Sequence, residues 1–123
     1  MNLIIGSHVS YNNKSQLLGS VKEALSYKSN TFMFYTGAPQ NTNRSVIEDS
    51  LTMEAYKLMK ENNIALEKVI VHAPYIVNLA NFNNFDFSVS FLINEVERCS
   101  TLGIKYLVLH PGSAVNCSRE EAI

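Results

Sequence analysis

Two short apolar runs of the same form stand out in the hydrophobic pattern, and each ends in a histidine followed by turn residues. Residues 69–71 lead into His72 and Ala-Pro-Tyr, and residues 106–109 lead into His110 and Pro-Gly-Ser. Apolar runs of this length that are rich in β-branched residues are typical of parallel strands buried on both faces. The pattern therefore predicts two buried strands, each of which delivers an imidazole to its carboxyl end.

Apolar positions elsewhere predict two more strands and three helices. Residues 3–5, which lead into Gly6 and His8, and residues 31–36 have the length and composition of strands. Three other segments repeat apolar residues at helical spacing. They contain Leu17, Leu18, Val21, Ala24 and Leu25; Leu51, Ala55, Leu58 and Met59; and Val89, Leu92, Ile93 and Val96.

Polar residues and glycine mark the ends of these helices. Ser45 and Glu48 have the spacing of a capping box, which predicts a short helical turn at that point. Asp86 is placed to be the N-cap of the third helix. The asparagines at 62–63 and Gly103 tolerate left-handed backbone, so they predict the carboxyl ends of the second and third helices.

The alternation of strand and helix predicts the fold class. This order implies right-handed crossovers and one parallel sheet. Successive strands begin about 30 to 40 residues apart, which is close to the spacing in an eight-unit (β/α)8 barrel. We therefore predict an α/β fold in which residues 1–123 form a single, incomplete domain, the N-terminal half of a TIM barrel with about its first four βα units.

The end of the sequence supports this interpretation. Ser118 and Glu121 again have capping-box spacing and predict the first turn of a fourth helix. Because one helical turn has little stability of its own, we expect these residues to be the first half of a longer protein. The alternative is a complete four-stranded flavodoxin-like domain, which would leave the last strand without its covering helix.

Composition and charge narrow the class of protein. With 46% hydrophobic residues and a formal net charge of −1, the chain is globular in composition and has no basic excess for charge-driven DNA binding. No apolar run approaches membrane-spanning length and no secretory signal precedes residue 3, so we expect a cytoplasmic protein with no membrane contact. Cys99 and Cys117 lack C-x-x-C spacing, which argues against a disulfide and against a cysteine zinc site.

The three histidines of the chain, His8, His72 and His110, all fall at carboxyl ends of predicted strands, where α/β barrels have their active sites. Zinc accepts imidazole nitrogens, so His72 and His110 would make half of a zinc site, while His8 is placed either to ligate or to orient. Since the acidic residues nearby are assigned to helices, a third ligand is expected beyond residue 123. For each histidine taken singly, a hydrogen-bonded core residue is the alternative.

Four segments together resemble the N-terminal part of the endonuclease IV family of zinc-dependent apurinic/apyrimidinic endonucleases. They are Ile5-Gly6-Ser7-His8-Val9-Ser10, Tyr35-Thr36-Gly37-Ala38-Pro39-Gln40-Asn41-Thr42, His72-Ala73-Pro74-Tyr75-Ile76-Val77-Asn78-Leu79 and His110-Pro111-Gly112-Ser113. The resemblance implies a TIM barrel of the xylose-isomerase-like type that carries three zinc ions. It also implies a base-excision repair enzyme, monomeric when complete, that cleaves double-stranded DNA on the 5′ side of abasic sites with a zinc-activated hydroxide.

The resemblance assigns roles to residues at the strand ends. His72 and His110 match two ligands of one zinc ion, and through that zinc they are the catalytic candidates. Tyr75 and Ile76 match the pair that the family inserts into the duplex at the lesion. Stacking there offsets the free-energy cost of separating two base pairs. Ordinary packing of this pair against Leu79 is the alternative.

Four further residues are DNA-binding candidates. Gln40 stands where the family often has arginine, which weakens the expected contact. Asn41 beside it would contact phosphate or sugar, or would be a solvated turn amide. Ser10 and Ser113 are placed to donate to phosphate.

The family takes its remaining metal ligands from later strands, and residues 1–123 include none of them. We therefore expect little or no incision by this chain alone. Two alternatives stay open. One is a sugar isomerase or epimerase of the xylose-isomerase-like type, and the other is an inactive half-barrel fragment whose open sheet edge favours self-association.

Overall fold

The computed structural model describes residues 3–123, which form strands and helices in the predicted order. The elements are β1 (Gly6–His8), α1 (Gln16–Ser26), β2 (Thr31–Phe34), α2 (Asp49–Glu61), β3 (Ile70–His72), α3 (Phe85–Thr101), β4 (Tyr106–Val108) and α4 (Arg119–Ala122). Two short 3₁₀ turns, Leu66–Lys68 and Phe82–Asn84, precede β3 and α3. No helix in this part of the chain is both long and apolar enough to cross a membrane.

The four strands form one parallel sheet in the order β1-β2-β3-β4, which confirms the predicted topology. Each helix from α1 to α3 is therefore a crossover between neighbouring strands. The register places Phe34 beside Val71 and Val71 beside Leu107. Residues in register share one face of the sheet, so these three side chains point to the same side.

The hydrophobic core lies on that side. One cluster joins the sheet to α1, α2 and the end of α3; its buried members are Val9, Leu17, Leu18, Val21, Ala24, Phe32, Phe34, Ala55, Met59, Ile64, Val69, Val71, Cys99, Leu102 and Ile104. The opposite face is open, since Tyr106 is 57% exposed and Val108 is 38% exposed. The prediction that the strands are buried on both faces is therefore wrong for the described residues, because the helices cover one face.

The first strand lies at Gly6–His8 instead of residues 3–5. Asn30 explains the difference: its Oδ1 accepts the backbone N–H of Ile5 at 2.7 Å, and its Nδ2 donates to Leu3 O at 2.8 Å. A side chain thus occupies backbone groups that a strand would pair with its neighbour. The ladder begins at Gly6, where an added Cβ would collide with the carbonyl of Thr31.

The helical turn predicted from Ser45 and Glu48 does not form. Residues 42–48 lie outside any helix, and Glu48 has extended backbone at φ −88° and ψ 121°. The carbonyl of Ser45 accepts from Arg98 Nη1 at 2.6 Å, and Gln16 Oε1 accepts the backbone N–H of Glu48 at 2.9 Å. Long-range partners therefore hold this segment extended, and α2 begins at Asp49.

The N-cap prediction for α3 is also wrong. Asn84 is the N-cap, and Asp86 lies in the first turn. The preceding 3₁₀ turn brings the chain into helical geometry earlier than the sequence indicates, because Asn81 Oδ1 caps that turn by accepting the N–H of Asn83. An acidic residue in the first turn still interacts favourably with the helix dipole.

The other helix ends are confirmed. Asn63 and Gly103 have left-handed backbone at φ 58° and φ 74°, as expected just after α2 and α3. At α4, Ser118 Oγ accepts the N–H of Glu121 at 3.2 Å, and Glu121 Oε2 accepts the N–H of Ser118 at 2.9 Å, which completes the capping box.

The third helix forms as predicted, but its apolar stripe faces outward. Ile93 is 55% exposed and Val96 is 52% exposed, whereas Glu95 is fully buried and Arg98 is nearly so. The polar residues face the sheet because they pair with groups at the end of β2, as described below. Cys99 on the same inner face and Cys117 are both free thiols.

Leu17 provides a test of the core. Its side chain is fully buried on α1. Leu17→Ala should lower the free energy of unfolding by about 2–5 kcal/mol, because the lost methyl groups leave a cavity. Urea unfolding followed by circular dichroism measures the change. Leu3→Ala, at a side chain that is 65% exposed, is the matched control. It should change stability by at most about 0.5 kcal/mol, and equal losses in both variants would contradict this core.

Candidate metal and nucleic-acid site

Four aromatic rings follow one another across the open face of the sheet at its carboxyl edge. His8 ends β1, Tyr35 follows β2, His72 ends β3 and His110 follows β4. The ring centroids of His8 and Tyr35 are 4.6 Å apart, and those of Tyr35 and His72 are 5.1 Å apart. The centroids of His72 and His110 are 5.0 Å apart. We call these four residues the ring row.

The sheet register explains why these rings share a face. His72 pairs with Val108, and His110 lies two positions beyond Val108, so its side chain returns to the same face. Tyr35 follows the same rule at the end of β2. Tyr35 was not among the predicted site residues. The signal that could have found it is its position an even number of residues after Thr31 and Met33, which face away from the core.

His72 has its tautomer fixed by the backbone. Its Nδ1 lies 2.6 Å from the carbonyl oxygen of Ala73. A carbonyl oxygen only accepts, so Nδ1 carries the hydrogen and donates, and the neutral ring keeps its lone pair on Nε2. Metal-binding histidines commonly use this arrangement, in which the second nitrogen is tied to a carbonyl or carboxylate. His72 therefore fits a zinc ligand that binds through Nε2.

His8 lies in a different electrostatic setting. Partial burial lowers the pKa of His8, the neighbouring His72 ring lowers the pKa further, and the Glu23 carboxylate opposes both effects. The centroids of His8 and His72 are 6.2 Å apart. A neutral imidazole at this position can donate or accept one hydrogen bond without adding positive charge next to a cation.

The strand ends offer a zinc ion fewer ligands than a complete site contains. His72 and His110 offer two imidazoles, whereas a zinc site takes at least three protein ligands. Among residues 3–123, no group of three or more His, Cys, Asp or Glu side chains is arranged to hold a metal. The ring row therefore fits part of a zinc site.

The loop after β3 presents an aromatic side chain to solvent. Tyr75 is 63% exposed and Ile76 is half-buried. Pro74 and Val77 on either side are buried, and the N–H of Val77 donates to Pro74 O at 3.1 Å. The turn is thus anchored at both ends while Tyr75 stays accessible.

Ser10 and Ser113 lie in the loops after β1 and β4, and both residues are exposed. The N–H of Ser10 donates to Glu23 Oε2 at 3.2 Å, and its carbonyl accepts from Ser20 Oγ at 2.7 Å. The backbone of Ser113 is bound by the side chain of Asn78. In both cases the backbone is engaged by the protein, so the hydroxyl is the group that can reach a ligand.

The loop after β2 wraps around a guanidinium group. Arg44 Nη1 donates to the carbonyls of Ala38 at 3.2 Å, Asn41 at 3.2 Å and Asn43 at 2.8 Å. Asn41 Oδ1 accepts the N–H of Asn43 at 3.0 Å, so the Asn41 side-chain nitrogen is the group left for a ligand. Gln40 is exposed at the tip. The arginine therefore shapes this loop from the inside.

A buried polar network fixes both ends of that loop to α3. Arg44 Nε donates to Glu95 Oε1 at 2.6 Å, and Thr36 Oγ1 donates to Glu95 Oε2 at 2.6 Å. Arg98 donates to Thr36 O at 2.8 Å and to Ser45 O at 2.6 Å. Glu95 therefore pairs directly with Arg44, and the Thr36 hydroxyl, which accepts from Arg98 Nε at 3.0 Å, links the carboxylate to Arg98. We call Thr36, Arg44, Glu95 and Arg98 the Glu95 network.

The Glu95 network was not predicted, because Glu95 was assigned only to a helix. The signal was available, since Glu95 and Arg98 lie at helical spacing between Phe91 and Leu102, which are both buried. Charged residues of opposite sign, three positions apart on a core-facing stripe, indicate a buried pair that meets a partner elsewhere in the chain.

A family comparison assigns the fold. A sequence profile described as "Xylose isomerase-like TIM barrel" matches residues 21–123. The chain belongs to this family. The match confirms the predicted α/β architecture, a partial TIM barrel of the xylose isomerase-like type.

Individual relatives give a finer likeness. The chain is 54% identical to "Probable endonuclease 4" of Acholeplasma laidlawii over 123 residues, covering 98% of this chain and 42% of that protein. It is 51% identical to "Probable endonuclease 4" of Bacillus subtilis over 125 residues, with coverage of 98% and 41%. The crystal structure of endonuclease IV from Thermus thermophilus matches with a TM-score of 0.76 and 26% identity, over 96% of this chain and 43% of that one.

These comparisons confirm the resemblance to the N-terminal part of endonuclease IV. They also show that the chain spans about two fifths of the length of the relatives it matches.

The Glu95 network yields a stability prediction. Glu95→Ala should lower the free energy of unfolding by about 3–5 kcal/mol, since it leaves the buried Arg44 guanidinium group without its counter-charge. Glu97→Ala, at an exposed acid on the same helix, is the control and should cost at most about 0.5 kcal/mol. Chemical denaturation of the two variants side by side makes the comparison. A loss for Glu95→Ala no larger than that of the control would mean that the network is not formed in solution.

Proposed function

We propose that this chain carries part of the zinc site and part of the DNA-binding surface of an apurinic/apyrimidinic endonuclease of base-excision repair. The observation that carries the proposal is the pair of rings of His72 and His110, 5.0 Å apart, at the same sheet edge as the loop that exposes Tyr75. The relatives named "Probable endonuclease 4" support it, because their similarity covers nearly all of this chain.

The metal-binding role falls to the two histidines on β3 and after β4. His72 would bind zinc through Nε2 while its Nδ1 stays tied to Ala73 O. His110 would supply the second nitrogen, and the remaining ligands come from outside residues 3–123. Zinc bound there supplies Lewis-acid chemistry to a phosphodiester. His8, whose ring centroid is 6.2 Å from that of His72, is placed either to ligate or to orient a neighbouring group.

The DNA-binding role falls to the loops. Because the formal net charge is −1, contacts must come from local donors, not from an overall positive field. Gln40, the amide nitrogen of Asn41 and the hydroxyls of Ser10 and Ser113 are placed to donate to phosphate or sugar. Tyr75 and Ile76 would fill the gap that an abasic site leaves in the base stack.

A sugar isomerase of the same barrel family is the competing enzyme class. The family description fits both classes, so the choice depends on the loops. Small polyols are bound in concave pockets that bury most of the ligand. Tyr75 is instead 63% exposed, which suits stacking in a duplex better than contact with a small sugar.

Zinc affinity tests the metal-binding role. The wild-type chain should bind one Zn²⁺ weakly, since it offers two imidazoles where a complete site takes at least three protein ligands. His72→Ala and His110→Ala should each weaken that binding at least about tenfold, since each removes a nitrogen ligand. Competition with a chromophoric chelator measures the affinity. His8→Ala in the same assay separates the two roles left open for His8: a comparable loss indicates ligation, and a smaller one indicates orientation. Equal affinity in the wild type, His72→Ala and His110→Ala would refute the zinc site.

Binding to damaged DNA tests the DNA-facing role. The wild type should prefer a duplex that contains a tetrahydrofuran abasic analogue over the intact duplex. Tyr75→Ala should reduce that preference about tenfold, because one stacking contact is lost. Fluorescence anisotropy is the measurement, and binding is preferable to incision as a readout because this chain supplies only part of the metal site.

Tyr27→Ala is the matched control for the DNA experiment. Tyr27 is 61% exposed, close to the exposure of Tyr75, but it follows α1 at the opposite edge of the sheet. It should leave the preference unchanged. Equal binding of both duplexes by the wild type, or binding of an aldose sugar in their place, would count against a nuclease and favour the isomerase class.

A further inference from the structure

The loops after β3 and β4 are joined by one side-chain amide. Asn78 Nδ2 donates to Ser113 O at 3.1 Å, and Asn78 Oδ1 accepts the N–H of Ser113 at 3.1 Å. The amide therefore binds both backbone groups of one residue that lies 35 positions away. The two hydrogen bonds resemble those of a residue pair in a β-sheet. Together they fix both the distance and the relative orientation of the two loops.

Asn78 is itself held rigidly. Ser88 Oγ on α3 donates to Asn78 O at 3.2 Å and accepts the N–H of Asn78 at 3.3 Å. Asn78 Oδ1 also accepts the N–H of Ala80 at 3.0 Å. Because Ser88 is buried, these hydrogen bonds attach the backbone of Asn78 to the protein interior.

The partner loop is shaped to receive this amide. Gly112 has φ 119°, a backbone conformation that favours glycine, and a Cβ added there would collide with Asn78 Oδ1. The last ladder contact between the strands is the bond from Ala73 N to Val108 O at 2.8 Å. Past that bond, Asn78 is the main hydrogen-bonded tie that the described residues provide for the loop containing His110.

We propose that Asn78 is a positioning residue that fixes the His110 loop against the loop that begins at His72 and carries Tyr75. The proposal rests on the proposed function for its consequence, since the distance that Asn78 sets is the one between the two zinc-binding imidazoles. One amide then couples the metal-binding histidines to the DNA-facing turn. Neither loop could shift without breaking two hydrogen bonds to the other.

Hydrogen exchange followed by NMR tests the tie without metal or DNA. Asn78→Ala removes both the donor to Ser113 O and the acceptor of the Ser113 N–H. The amide of Ser113 should then exchange about tenfold faster, while amides of β2 and β3 keep their rates. Asn83→Ala makes the same truncation at an exposed residue of the 3₁₀ turn before α3 and should alter neither set. Unchanged exchange at Ser113, or equally faster exchange in β2 and β3, would overturn the proposal.

Zinc competition tests whether Asn78 acts through His110. Asn78→Ala should weaken zinc binding about tenfold, as is typical for groups that orient a ligand, and should have no further effect in a His110→Ala background. An equal loss in both backgrounds would overturn the route through His110. If the wild type binds no zinc while Ser113 exchange still depends on Asn78, the tie between the loops is supported and the zinc site of the proposed function fails.

Discussion

The alternation of side chains along parallel strands is the constraint on which both the core and the site depend. Phe34, Val71 and Leu107 are in register and point to the core side. The residues before and after each of them on its own strand must therefore face the other way. His72 is one of those positions, and the neighbouring rings follow the same rule. A slip of one residue would send the imidazoles into the core and apolar side chains to the edge. Burial of the core therefore fixes the placement of the candidate ligands.

Beyond the strands, the positions of the loops are set by side chains that bind the backbone groups of those loops. Arg44 collects three carbonyls of its own loop and is neutralised by Glu95 on α3. Asn78 pairs with the backbone of Ser113. Loops have few partners of their own, so buried polar groups of this kind decide how rigid they are. Two of the candidate DNA-binding loops, those after β2 and β3, are attached to the same helix, α3, through Glu95 and Ser88.

The sequence predicts features that depend on neighbouring residues and misses those that depend on distant ones. The strand order, the carboxyl ends of α2 and α3 and the cap of α4 follow from local patterns. By contrast, residues 3–5 are diverted by Asn30, and the segment before α2 is held extended by Gln16 and Arg98. Likewise, α3 turns its polar side inward because Glu95 meets Thr36, 59 positions earlier. The ring row was only partly predicted, because the place of Tyr35 in it depends on contacts with two histidines of other strands.

The loop after β2 buries its arginine and exposes a neutral side chain, which affects how this part of the barrel would recognise DNA. The side chain of Arg44 is only 5% exposed and is engaged by Glu95 and loop carbonyls, so it is not available to phosphate. Gln40 at the exposed tip is neutral. Neutral donors release few counterions, and counterion release is what drives binding to undamaged duplex. Under the proposed function, this half of the site would therefore contribute little to general affinity. Its discrimination would come from the shape of the lesion, filled by Tyr75 at the one place where the base stack is interrupted.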